Sequence, residues 1–283
     1  MRIIGALALA SALAGCSALQ LGYANAPQLA YWWLDGYFDF SDAQTPRVRE
    51  ALEQVHQWHR TEELPRLVAL ARQAEQLAAG DFGGAQACAL YESGLARLDA
   101  LRAQVEPVLA QFALTLTPDQ LRHLARRFET NNEDFRKQWV TASAADRRER
   151  RLKLFAERLE MAYGKLEEPQ RVVLRQQLEA SPFDAARVLA ERHRRQADTL
   201  QVLRQLQAPG TSPAEARRQL QALLARAQHS PDPAYRRLQE QATQHNCALV
   251  AAVHAAATPA QREASMRRLR AWQRDFSDLA SPK

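Results

Sequence analysis

Apolar side chains recur three and four residues apart through most of this chain, as in Leu152, Phe155, Leu159 and Tyr163, or Leu269, Trp272, Phe276 and Leu279. That period lays each set along one face of an α-helix. Polar caps open the periodic stretches. Ser41-Asp42-Ala43-Gln44, Thr117-Pro118-Asp119-Gln120, Ser143-Ala144-Ala145-Asp146, Ser212-Pro213-Ala214-Glu215 and Thr258-Pro259-Ala260-Gln261 each set a hydroxyl three residues before a side chain that closes a reciprocal capping pair. Where Pro follows the cap, its missing N–H costs nothing. Ser181-Pro182 is read as the start of another long helix, through Val188, Leu189, Leu200, Leu203 and Leu206 to Pro209-Gly210. No alternating β-branched run occurs, so no sheet is expected.

Breakers divide the remainder. Pro65 is expected to kink the first long helix, Gly80 and Gly83-Gly84 to turn the chain, and Pro107 to bend the helix that follows. The pattern predicts an all-α fold, an elongated antiparallel multi-helix bundle of about 8–10 helices with short connections. No linker separates independent domains, and one bundle or two fused bundles both fit. The recurring Thr-Pro-x-Gln needs no internal duplication, because the capping rule accounts for it.

The N-terminus departs from this pattern. Met1-Arg2 precedes an apolar run from Ile3 to Leu13, the charged and hydrophobic regions of an export signal. The run is too short for a membrane span, which needs about 20 residues. It ends in Leu13-Ala14-Gly15-Cys16, which resembles the bacterial lipobox. That resemblance implies cleavage before Cys16, diacylglyceryl and N-acyl groups (palmitate among them) on that residue, and anchoring by several acyl chains. In that lipoprotein class Asp after the cysteine favours the inner membrane, whereas Ser17 here favours the outer membrane, with the body facing the periplasm. The chain therefore divides into a signal peptide at residues 1–15, a lipidated N-terminus and aromatic first helix at 16–40, and a helical body at 41–283.

This compartment changes the reading of the cysteines. The mature chain keeps Cys88 and Cys247, an even pair where disulfides persist. A bridge between them is the expectation, two buried thiols the alternative. No CxxC supports a redox or zinc motif.

Composition excludes more than it assigns. With 46% hydrophobic and 25% charged residues the chain can build a packed core, which rules out wholesale disorder. Its 10 glycines include no GxGxxG, Walker loop or GxSxG, so neither nucleotide-dependent nor hydrolytic chemistry has a foothold. The expectation is a non-enzymatic protein with no cofactor and no metal. The formal charge is +6, but residues 17–80 hold 5 basic and 8 acidic groups against 32 and 24 in residues 81–283. Arg outnumbers Lys 34 to 4, a bias so even that codon composition is the simpler explanation. Arg147, Arg148, Arg150 and Arg151 form the densest cluster, with others at Arg192, Arg194 and Arg195 and at Arg267, Arg268 and Arg270. Such clusters suit phosphate-bearing partners. In the periplasm those are anionic lipid headgroups or lipopolysaccharide, not nucleic acid. The competing reading is a solvated face paired with neighbouring Glu.

Leu21-Gly22-Tyr23, Tyr31-Trp32-Trp33-Leu34-Asp35-Gly36-Tyr37-Phe38-Asp39-Phe40 and Trp58-His59-Arg60-Thr61-Glu62-Glu63-Leu64-Pro65-Arg66 resemble the hallmark region of an uncharacterised Gram-negative lipoprotein family defined by a domain of unknown function. The flanks of Cys88 and the stretch from Asn246-Cys247 to Leu269 extend that resemblance. It implies a periplasm-facing helical lipoprotein and no transferable activity. Within the hallmark, a helix from about Pro27 to Tyr37 sets Leu34, Tyr37 and Phe38 on one side and Trp32, Asp35, Gly36 and Asp39 on the other. Trp32 and Trp33 with Asp35 and Asp39 are thus a candidate sugar shelf, for which peptidoglycan is the available partner. The plainer reading has the aromatics plug the bundle and the carboxylates pair with Arg or cap the next helix. His56, His59 and Glu63 also share a face, but no second helix offers a matching ligand pair, and an ion-pair network around Pro65 is the commoner outcome. Finally, Leu116-Thr117-Pro118-Asp119-Gln120 is similar to the Leu-Thr-x-x-Gln element of small periplasmic stress chaperones, which implies binding of unfolded clients. The expectation is an outer-membrane lipoprotein with a structural or binding role among envelope proteins, lipid or glycan.

Overall fold

The computed structural model describes residues 19–281; the signal peptide and Cys16 lie outside the described residues. A helical stretch at 19–24 leads into α1 (Ala26–Phe38), followed by α2 (Thr45–Trp58), α3 (Leu64–Ala78), α4 (Gly84–Ala113), α5 (Pro118–Phe135), α6 (Ala144–Tyr163), α7 (Glu168–Glu179), α8 (Ala185–Leu206), α9 (Pro213–Gln228), α10 (Pro233–Ala255) and α11 (Pro259–Ala280). The described residues contain no strand, and the fold is an all-α bundle. Among the described residues the eleven α segments from Ala26 onward exceed the expected eight to ten because the first long helix is divided.

That division sits where Pro65 was expected to kink the chain. Pro65 offers no N–H to the carbonyl four residues back. A π-turn over His59–Glu63 takes up the change, with the Leu64 N–H donating to the His59 carbonyl. Pro107, by contrast, lies inside an uninterrupted α4. Capping follows the sequence at most starts: Thr117, Ser143, Ser212 and Thr258 each accept an N–H from three residues on. The helix assigned to Ser181-Pro182 instead begins at Ala185, because Asp184 accepts the Arg187 N–H and is the working cap.

The apolar stripes fill two clusters. One joins Ala110 and Ala113 at the end of α4 to Leu121 and Leu124 of α5, Val202, Leu203 and Leu206 of α8, and Leu220 and Leu223 of α9. The other joins Leu159 and Tyr163 of α6 to Leu174 and Leu178 of α7 and Leu249 and Val253 of α10. Leu174, Leu249 and Val253 are fully buried, each contributing roughly 1.5–3 kcal/mol. α11 packs along α3, while α4 runs beside α10 and then α9. At 30 residues, about 45 Å, α4 reaches from one cluster to the other.

Near the start of α4 the backbone approaches α10 closely. A Cβ on Gly84 would stand 3.3 Å from the Ala248 backbone, so only glycine fits without displacement. One turn on, the sulfurs of Cys88 and Cys247 lie 2.08 Å apart, at disulfide distance.

Candidate functional site

A large apolar groove among the described residues starts from a corner. α1 ends when Asp39 adopts φ 51°, and its N–H donates to the Asp35 carbonyl at 2.8 Å. The Phe40 N–H donates to Asp35 Oδ1 at 2.9 Å, turning Phe40 back onto Phe38 and Phe112. Gln44 Oε1 then accepts the Ser41 N–H, and Gln120 Oε1 accepts the Thr117 N–H. The two amides meet face to face: Gln120 Nε2 donates to Gln44 Oε1 at 2.6 Å and to the Asp39 carbonyl, while Gln44 Nε2 donates to the Thr115 carbonyl. Both glutamines are buried.

Beyond this corner α2 and α4 approach only sparsely. Between them lies a groove of about 620 Å³. Its walls are Leu34 and Phe38 of α1, Val48, Leu52 and Val55 of α2, and Val105, Val108 and Phe112 of α4, with Arg47 and Glu50 as charged lining residues. None of the α2 residues is buried, so that helix shows its apolar face to unfilled space. A well-packed interior leaves few voids larger than a water molecule. The chemistry on offer is accommodation of an apolar, elongated group with few polar contacts.

The candidate residues in α1 separate. Tyr31 is buried, its hydroxyl 3.0 Å from Thr45 Oγ1, and Tyr37 and Phe38 pack on the first cluster. Trp32 and Trp33 are 60% and 63% exposed, so these two do not plug the bundle. Asp35 is held by the turn through the Phe40 N–H, and Asp39 gives its carbonyl to Gln120. Among the described residues neither carboxylate has an Arg partner; the Asp35 carboxylate serves the end of α1, where Asp39 contributes its backbone N–H and carbonyl.

Of the candidate trio, His56 and His59 both lie against Tyr23, with ring centroids at 4.5 and 5.8 Å, and Glu63 turns to other partners. The extra residue of the π-turn rotates Glu63 out of the register that a regular helix would give it. The Tyr23 hydroxyl lies 3.0 Å from His59 Nδ1, whereas Glu63 contacts Arg66 at 2.7 Å and Arg97 at 3.6 Å. Among the described residues no three His, Cys, Asp or Glu side chains are grouped as a metal would need. Burial pushes the Tyr23 phenol up to about 12 and holds His59 below its ordinary value.

Most of the clustered arginines are engaged by neighbouring groups. Arg147 donates to the carbonyls of Val140 and Ala142, and Arg151 donates to the Leu178 carbonyl while stacking over Phe183. Arg150 lies over Trp139, and Arg148 is exposed. Arg194 and Arg195 grip buried Glu191, whose carboxyl falls to about 2: burial raises it, and hydrogen bonds from Arg194, Arg195 and Ser230 outweigh that. Arg270 pairs with Glu75.

Two arrangements escaped the sequence. Gln170 and Gln261 form a second buried amide pair, at 2.7 Å, with Gln261 Nε2 also donating to the Lys165 carbonyl. Capping explained Gln261 locally in the Thr258 box, and Glu167-Glu168-Pro169-Gln170, which caps in the same way, has no Ser or Thr to draw attention to it. His254, fully buried, donates from Nε2 to the Gly80 carbonyl at 2.9 Å and accepts from the Tyr163 hydroxyl at Nδ1, 2.8 Å away. Phe82 lies against its ring. A lone His in an alanine-rich helix carries no pattern from which to infer this.

A family model described as "Family of unknown function (DUF6279)" matches residues 36–236. No curated protein matches the chain, and no solved structure matches it.

Proposed function

The chain belongs to the DUF6279 family of unknown function, a membership that supplies no activity, and from its own residues we propose an outer-membrane-anchored, periplasm-facing lipoprotein with a non-enzymatic envelope-binding role. The observation that carries the anchor is Leu13-Ala14-Gly15-Cys16 directly after a short apolar run. No helix of the described residues is long and apolar enough to cross a membrane, which is compatible with attachment through acyl chains. The groove between α2 and α4 supports a binding role over a purely structural one, because two apolar faces are left open to a partner. Mass analysis of the N-terminal peptide from a Gram-negative host tests the anchor. A diacylglyceryl and an acyl group on Cys16, with the protein in the outer-membrane fraction, is the expected result; an unmodified cysteine or a soluble protein overturns it.

A second reading, binding of unfolded clients, is favoured by one placement. Thr117 of the Leu-Thr-x-x-Gln element lines the groove, and its Gln120 closes the corner from which the groove starts. On this reading the protein slows aggregation of an unfolded client, and Leu52→Asp abolishes the effect. No suppression by wild type at several-fold excess removes it.

A further inference from the structure

The face that α1 and the helical stretch before it turn away from the body is largely apolar between Leu19 and Trp33. Pro27 and Tyr31 are buried against the body, and on the opposite side Leu21, Leu29, Trp32 and Trp33 stand exposed, with Leu19 beside them. Asn25 and Gln28 interrupt this face, Asn25 turning its amide onto the Leu21 carbonyl at 2.8 Å and Gln28 accepting from Arg49, and Gly36 and the exposed Asp39 close it beyond the tryptophans. Between Cys16 and Asp35 the sequence holds no charged residue. Two exposed indoles in one turn are unusual on a surface meeting water alone, since large apolar patches mark a binding surface.

We propose that this face lies in the headgroup–acyl boundary of the phospholipid leaflet that holds Cys16, so that an acylated cysteine and a parallel aromatic helix fix the protein together. The proposal rests on the anchor reading above. Position argues for lipid as the occupant. Only Ser17 and Ala18 separate Cys16 from Leu19, a reach of at most about 11 Å from an acylated residue at the bilayer surface. Along a helix Trp33 is about 21 Å further on. A stripe tethered so closely meets the leaflet at high effective concentration. Its chemistry fits as well, because Trp settles where an apolar ring and a polar N–H are wanted together. From Leu19 to Leu34 the segment holds no ion to desolvate, and it is too short to span a membrane and suits lying on one. With an acyl anchor alone the body would swivel; with the helix seated, it has one orientation.

The test uses the acylated, full-length mature protein in phosphatidylethanolamine–phosphatidylglycerol vesicles carrying bromine-labelled acyl chains. Bromine quenching of tryptophan is expected, strongest for bromines near the headgroups, and falling at least about twofold in Trp32→Ser/Trp33→Ser. Trp58→Phe is expected to leave it unchanged. Equal quenching in wild type and the double variant, or none in wild type, overturns the proposal. Absent quenching together with a Trp32-dependent crosslinked dimer would assign the face to a second copy and equally overturn it. Mass analysis of Cys16 in the same preparation separates the two readings: acyl groups present without quenching sink the membrane face alone, whereas an unmodified Cys16 sinks both.

Discussion

Gln120 and Gln261 each do two things with one side chain: Oε1 caps the start of its own helix, and Nε2 reaches across to a glutamine at the start of another. The first role is readable from Thr-Pro-x-Gln. The second depends on which helix ends the fold brings together, and no local spacing encodes that. An unmet buried amide costs about 1–3 kcal/mol, so Gln261→Ala is expected to lose roughly that in urea denaturation, well above the loss of a cap interaction at an exposed helix end. His254 sets a pH limit of the same local kind. Burial holds its pKa below the ordinary 6.5, the Arg262 guanidinium adds to that effect, and Asp81 and the Gly80 carbonyl oppose it. The unfolded chain therefore binds more protons than the folded one at mildly acid pH. The resulting stability is fully present above about 6.5 and declines as pH falls from there toward the folded-state pKa. His59, lowered mainly by its own burial, acts in the same sense. The melting temperature of wild type should fall between pH 7.5 and 5.5, and His254→Asn should flatten that slope.

Among elements, the helical period was legible because core stripes obey it: Leu159, Tyr163, Leu269 and Leu279 are all buried. The π-turn was not, since lengthening a hydrogen bond's span from four residues to five leaves composition unchanged and Pro65 signals only that something must yield. The helix start at Ala185 was missed because Asp184 competes with Ser181 as a cap, and a hydrogen bond decides between them. α4 and α10 meet through glycine and alanine before the cysteines do, so Gly84→Leu should push the Cys88 and Cys247 sulfurs apart and leave free thiols detectable by alkylation. Breaking that link frees a loop of 159 residues. A Cys88→Ala/Cys247→Ala variant is expected to lose up to about 5 kcal/mol of stability in denaturant titration, and reduction of the wild type should match it.

For the molecule as a whole, composition suggested that the arginine bias was incidental, and most arginines of the clusters read from sequence are engaged by nearby carbonyls, rings and carboxylates. A different use of arginine follows. Guanidinium groups of Arg60, Arg147, Arg151, Arg171, Arg194 and Arg236 donate to the backbone carbonyls of Ser281, Ala142, Leu178, Leu166, Arg226 and Ser230. Each ties down a chain end, turn or helix terminus whose acceptors would otherwise be unmet. The fork geometry of arginine suits this better than the point charge of lysine. Contacts of this kind act between a charge and a neutral dipole at contact range, and mobile ions screen them little. The ion pairs that ions do screen are mostly solvent-exposed and contribute little. A protein this rich in arginine should therefore melt at nearly the same temperature in 20 mM as in about 500 mM sodium chloride, a range over which the Debye length shrinks several-fold. Its arginines work less as a charge than as a set of clamps, and clamps of that kind are indifferent to the salt around them.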